Sequence, residues 1–300
     1  DYSVEGKHDE DAFDHTLEET LKTIKNAKAN KAVPFAVFKP TGVGSAQIME
    51  KVQLGIELDA EEDQKYHRLK DRFHILAKAA YDNDVRLLID AEDSWYQNTV
   101  DALVYELMQQ FNRERAIVYN TYQMYRWESL DNLKHAHEDA VNGGYILGAK
   151  LVRGAYMENE RERAERKGYK DPICVDKAAT DTSYDNGLKY CVEHIGAIEL
   201  FNGSHNENSN LYLAGLMEDV GLANDDHRIY FAQLYGMSDN ITYALADAGY
   251  NVAKYLPYGP VKFVMPYLIR RAEENTSVGG QSSRELSLIK QELDRRKASK

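Results

Sequence analysis

Cysteine is scarce in this chain: only Cys174 and Cys191 occur in 300 residues. Two thiols cannot make a disulfide framework, their spacing matches no metal-ligand pattern, and a reducing compartment suits them. Long apolar runs are lacking too, since none approaches the roughly 20 residues that a membrane-spanning helix needs. No stretch reads as a signal peptide, and the chain opens on Asp1 rather than Met, so no targeting segment is expected within it. Positive charge is in deficit. With 37 Lys and Arg against 49 Asp and Glu, the net charge of -12 argues against nucleic-acid binding, which needs a concentrated basic face. It leaves room for one local cationic pocket. Low-complexity tracts, 20- to 50-residue repeats and a Pro/Gly linker are absent, which favours a single domain over residues 1–300. TGVGS (Thr41 to Ser45) is too short for a dinucleotide fingerprint.

What is present is an alternation. Apolar residues make up 43% of the chain and charged residues 29%, enough for a large core under a solvated surface. Short apolar runs span Val33 to Phe38, Val85 to Asp90, Ala116 to Asn120, Tyr145 to Val152, Ala197 to Phe201, Arg228 to Leu234 and Asn251 to Leu256. Several are continuously hydrophobic, as parallel strands covered on both faces require. Amphipathic helical patterns lie between them, among them Ala60 to Asn83, Trp95 to Asn112 and Asp176 to Glu193. This order predicts a (β/α)8 TIM-type barrel, with the opening DYSVEG as the stump of its first strand. A doubly wound open sheet is the alternative. The charged segment 281–300 reads as a C-terminal helical tail.

In a barrel, polar residues at the C-terminal ends of strands converge on one mouth. Lys39, Asp90, Asn120 and Tyr255 occupy such positions. The most informative segment is Lys254 to Asn275, where PYGP leads into a helical pattern over Val261 to Glu274. Tyr267, Arg270 or Arg271, and Glu274 share a face of that helix. The two arginines point about 100° apart. They can straddle a small carboxylate or phosphate, or simply form a solvated charged face. His135 and His137 sit two apart on a helix, so they face different ways and no metal site is expected.

The segment YLPYGPVKFVMPYLIRRAEEN resembles the signature of the proline dehydrogenases, flavoproteins built on a modified (β/α)8 barrel with a final helix over its mouth. GAKLVRGAYMENERERA, LLIDAED, VYNTYQMY, GSHNENS and FAQLYGMSD resemble further motifs of that family in the same order, so the likeness runs from Asp1 to about Asn275. It is closest to the monofunctional, eukaryote-like branch. The resemblance implies FAD-dependent oxidation of L-proline to 1-pyrroline-5-carboxylate, by hydride transfer to flavin N5, as the first step of proline catabolism. Electrons then pass to a quinone from a peripheral membrane protein. The expected location is the matrix side of the mitochondrial inner membrane in a eukaryote, or the cytoplasmic membrane periphery in a bacterium.

By this match Arg270 and Arg271 bind the substrate carboxylate, with Glu5 gating Arg270 and Glu274 behind Arg271. Tyr255, Tyr267, Leu234 and Ala155 surround the ring, and Lys39 and Asp90 are polar residues of the same site. Lys150, Val152, Arg153, Gly154, Ala155 and Tyr156 form the core of the flavin site, with Asn120 at its edge. Lys177, Thr180, Ser204, His205 and Asn206 match its phosphate and adenosine end. Two rivals remain. One is a 4-hydroxyproline dehydrogenase, against which Tyr255 speaks because that branch carries a smaller residue there. The other is a barrel lyase or aldolase using Lys39 as a Schiff-base nucleophile.

Overall fold

The computed structural model describes Tyr2 and residues 9–262, 264–265, 268–269 and 281–298. Two compact units divide the chain, Asp1–Pro257 and Tyr258–Lys300. In the first unit the strands are β1 (Phe35–Phe38), β2 (Arg86–Ile89), β3 (Val118–Gln123), β4 (Leu147–Val152), β5 (Ile198–Gly203), β6 (Ile229–Leu234) and β7 (Val252–Tyr255). The helices between and before them are α1 (Glu10–Ala29), α2 (Pro40–Val43), α3 (Ala46–Gln53), α4 (Ala60–Asn83), α5 (Ser94–Phe111), α6 (Ser129–Gly143), α7 (Met157–Lys167), α8 (Lys177–Glu193), α9 (Glu207–Asp219) and α10 (Asp239–Asp247). The second unit carries α11 (Gln281–Ala298).

Local chemistry sets the helix starts. Asp9 accepts from Ala12 N at the head of α1, and Asp176 does the same for Ala179 N at α8. Asp59 and Glu62 form a reciprocal capping box on α4. Along α1 the buried positions Phe13, Thr16, Thr20, Ile24 and Ala27 follow helical spacing and form one inward stripe.

All seven strands run parallel in sequential order, β1 to β7. Were the sheet flat, β1 and β5 would lie about 19 Å apart. Instead Phe35 of β1 meets Phe201 of β5 and Tyr230 of β6 edge-on, each with ring centroids 4.9 Å apart. The sheet is therefore curled round on itself, as the sequence pattern predicts for a barrel and not for an open doubly wound sheet. Phe35, Val37, Leu88, Tyr119, Phe201 and Ala232 fill the inside. Their strand neighbours Ala36, Phe38, Leu87, Ile89, Val118 and Leu200 pack outward among the helices. Both faces are thus buried, which is why the strands lack polar alternation. Of the expected first strand, only Tyr2 lies among the described residues. It is buried, edge-on to His15.

Candidate functional site

Four of the expected residues meet at the C-terminal ends of the strands. Lys39 follows β1, Asp90 follows β2, Lys150 lies on β4 and Tyr255 closes β7. Asp90 Oδ2 accepts from Lys39 Nζ and from Tyr255 Oη, each at 2.7 Å, while Oδ1 accepts from Lys150 Nζ at 2.5 Å. The Lys150 ammonium also lies 4.9 Å from the Tyr255 ring centroid. Burial by itself would raise the Asp90 carboxyl, but the charges of Lys150 and Lys39 and their hydrogen bonds hold it well below the usual carboxylate range. Two buried ammonium groups thus share this one carboxylate. Leu234 ends β6 in register with Tyr255 and is buried beside this cluster's strands.

The segment leaving β4 links this cluster to a second one. Gly154 has φ +139, and a Cβ there would lie 2.4 Å from the Tyr125 ring. Only glycine fits that turn. Ala155 N donates to Gln123 Oε1 at 3.2 Å, and Tyr156 N donates to Tyr125 Oη at 3.3 Å, so the end of β3 supports the turn. Val152, on the last residue of β4, packs within reach of Gly203 across β5.

Arg153 anchors the second cluster. Its guanidinium donates to Asp181 at 2.8 Å and to the hydroxyls of Ser204 and Ser209, each at 3.0 Å, and it stacks over the Tyr184 ring. Lys177 pairs with the same Asp181, and Thr180 Oγ1 donates to Asp176 O. Asn206 caps α9 by accepting from Ser209 N. Here a guanidinium, several hydroxyls and the first turns of α8 and α9 come together, a donor set suited to phosphate oxygens. His205 joins β5 to β6: its Nε2 accepts from Leu234 N, leaving Nδ1 to donate to Ser238 Oγ at 3.0 Å.

Other expected residues are not gathered here. Asn120 turns away from the barrel interior; its Nδ2 donates to Asp101 of α5 at 2.8 Å and its Oδ1 accepts from Thr121 N. The inward positions on β3 are the odd ones, because Thr121 is the register partner of Lys150 and Tyr119 lies inside. By the same parity Gln123, which sequence reasoning passed over, faces the mouth. It ties Glu92 O, through Nε2 at 2.6 Å, to Ala155 N. Glu5, Tyr267, Arg270, Arg271 and Glu274, expected as the gate and the carboxylate clamp with its neighbours, lie outside the described residues. His137 shares a hydrogen bond with Tyr190 Oη, and among the described residues no three His, Cys, Asp or Glu side chains gather as a metal site.

The family model described as proline dehydrogenase matches residues 1–284. Proline dehydrogenase 1, mitochondrial, of Homo sapiens is 42% identical over 85% of this chain, which spans 43% of that protein's length. The carbapenem antibiotics biosynthesis protein CarD of Pectobacterium carotovorum is 36% identical over 99% of this chain and 76% of its own. A hydroxyproline dehydrogenase of Xenopus laevis is 40% identical over 75% of this chain and 49% of its own. Among solved structures, proline utilization A (PutA) of Bdellovibrio bacteriovorus has the same fold, with a TM-score of 0.79 over 91% of this chain and 29% of that one, at 24% identity. A curled parallel barrel with its polar cluster at the strand ends, matched over nearly its whole length, makes this chain a member of the proline dehydrogenase family.

Proposed function

We propose that this chain oxidises L-proline to 1-pyrroline-5-carboxylate with bound FAD, and that residues 1–300 act as one barrel domain. The observation that carries the reading is the Asp90 cluster, which fixes Lys39, Lys150 and Tyr255 at the mouth of a barrel of this family. FAD when bound supplies the hydride acceptor. Arg153, Ser204, Lys177, Thr180 and the first turns of α8 and α9 would hold its phosphates, and the Lys150–Tyr156 segment with Gln123 its ring end. The donor chemistry of Arg153 and its neighbouring hydroxyls fits that task.

The protein must orient the substrate's C–H bond and exclude water around it. Arg270 and Arg271 hold the carboxylate in this proposal, supported by their helical spacing. Tyr255 and Leu234, with Tyr267 and Ala155, confine the ring. Asp90 stays ionised across neutral pH, so its task is to fix two ammonium groups and a phenol rather than to store the proton released by the substrate amine. The ion pair with Asp90 also engages the Lys39 ammonium, which speaks against Schiff-base chemistry. Electrons would leave to a quinone. The membrane contact that goes with this is proposed as peripheral; among the described residues no helix is long and apolar enough to cross a membrane. A mitochondrial location is supported by relatives that carry that organelle in their names.

The Xenopus relative keeps a second reading open, oxidation of 4-hydroxyproline. Against it stands Tyr255, whose phenol reaches across the mouth to Asp90; in the proposed site it would fill space that an added ring hydroxyl needs. One experiment tests both. The purified chain should show visible flavin bands that bleach with anaerobic L-proline and more slowly with 4-hydroxyproline. A colourless protein, or one whose bands proline leaves unchanged, overturns the proposal; faster bleaching by hydroxyproline reverses the substrate order.

A further inference from the structure

Two buried carboxylates outside the Asp90 cluster each take a pair of hydrogen bonds from one residue of another βα unit. Glu92 is buried at 3% exposure. Its Oε2 accepts from Thr41 N at 2.8 Å and its Oε1 from Thr41 Oγ1 at 2.6 Å. Glu160, on α7, is fully buried, with Oε1 accepting from Ser94 N and Oε2 from Ser94 Oγ, both at 2.6 Å. Thr41 stands two residues after Lys39, and Ser94 four after Asp90. Glu160 itself follows the Lys150–Tyr156 segment by four residues. The backbone of Glu92 is fixed too, its N–H on Gln97 Oε1 and its carbonyl on Gln123 Nε2.

The contacts form a continuous path. From the first turn of α7, Glu160 grips the start of α5; from beyond the end of β2, Glu92 grips α2, which follows β1. Two charge-assisted bonds to a single residue fix direction as well as distance, which one bond does not. We propose that Glu160 and Glu92 are positioning residues for the reaction, a two-step strut that sets Asp90 and Lys39 against Lys150. They touch neither substrate nor cofactor and act through Ser94 and Thr41. This inference rests on the proposed oxidation of proline.

A displacement of the order of 1 Å at reacting groups costs up to about a hundredfold in rate. Glu160→Ala is therefore expected to lower kcat on proline about tenfold with little change in KM, and Glu160→Gln, which keeps one acceptor, to recover most of it. Because Glu160→Ala also leaves both Ser94 donors without their acceptor, Ser94→Ala and Thr41→Val serve beside it. Each removes the hydroxyl bond to the carboxylate and keeps the backbone one, and each should lower kcat about threefold. The deciding measurement is a double-mutant cycle with Asp90→Asn. If Glu160 acts through Asp90, the double variant is no slower than Asp90→Asn alone. Losses that multiply, or a wild-type kcat in Glu160→Ala despite a lowered melting temperature, overturn the strut. Melting temperatures for the same cycle are read without proline. Non-additive shifts there support the mechanical link even if the wild-type chain leaves proline unchanged, a result that would count against the proposed function alone; additive shifts would remove the link.

Discussion

Asp90 is the residue on which the site turns, and its charge state has a direct consequence for stability. Its carboxyl ionises at 3.8 when unperturbed and far lower in the native protein. A depressed native value means that the unfolded chain binds the proton more readily, so the contribution is fully present above pH 3.8 and lost as pH falls through the native value. Asp90→Asn leaves Lys39 and Lys150 buried without their shared carboxylate, a change that costs about 3–5 kcal/mol when a buried pair is broken. The expected outcome is a large melting-temperature deficit for Asp90→Asn from pH 5 to 8, narrowing steadily as pH falls below 3.8. Thermal melts of both proteins across that range check it; a deficit that stays constant down to pH 2 would mean that Lys39 and Lys150 do not depend on the Asp90 charge.

At the level of elements, the strands were legible and their facing was not. Each of the seven apolar runs became a strand because branched and aromatic side chains suit a sheet buried on both sides. That same double burial erases the alternation from which inward and outward positions could be told. Asn120 closes an apolar run and reads as a mouth residue, yet β3 continues three residues further to Gln123 and turns Asn120 toward α5. Lys39, Asp90 and Tyr255 were legible because a polar residue at or directly beyond the end of a short strand has few other places to go. Glu92 and Glu160 were not, since their partners lie 51 and 66 residues away and no local pattern joins them. The turn after β4 offers the clearest test at this scale. Gly154→Ala forces a side chain into a backbone region closed to it and into the Tyr125 ring, for a cost of about 1–3 kcal/mol. It should lower both the melting temperature and the ratio of visible flavin absorbance to protein. Gly196→Ala is the control, having open space around its Cβ and no positive φ, and an equal loss in both variants would deny the turn any special role.

Across the whole molecule the barrel separates a structural end from a chemical one. At the N-terminal ends of the strands, Arg86 lies over the rings of Phe35 and Tyr230 and donates to His227 O at 2.9 Å. Glu199 sits within 3.6 Å of Arg86 Nε and accepts from Tyr119 Oη at 2.7 Å and from Ala116 N at 3.0 Å. These bonds join β2, β3 and β5 through the interior, where the rings alone give no directional restraint. Arg86 precedes Asp90 by four residues, so the two networks stand about 13 Å apart along the strand. Glu199→Ala strands a buried guanidinium and two further donors, and the expected loss is about 3–5 kcal/mol of unfolding free energy. Because the site lies at the other end, the variant should keep its flavin spectrum and its KM for proline at temperatures where it remains folded. Denaturant unfolding beside steady-state kinetics measures both quantities. A KM that rises in step with the lost stability would show the two ends of the barrel to be mechanically coupled, and the strut at the mouth would then not suffice to hold the site.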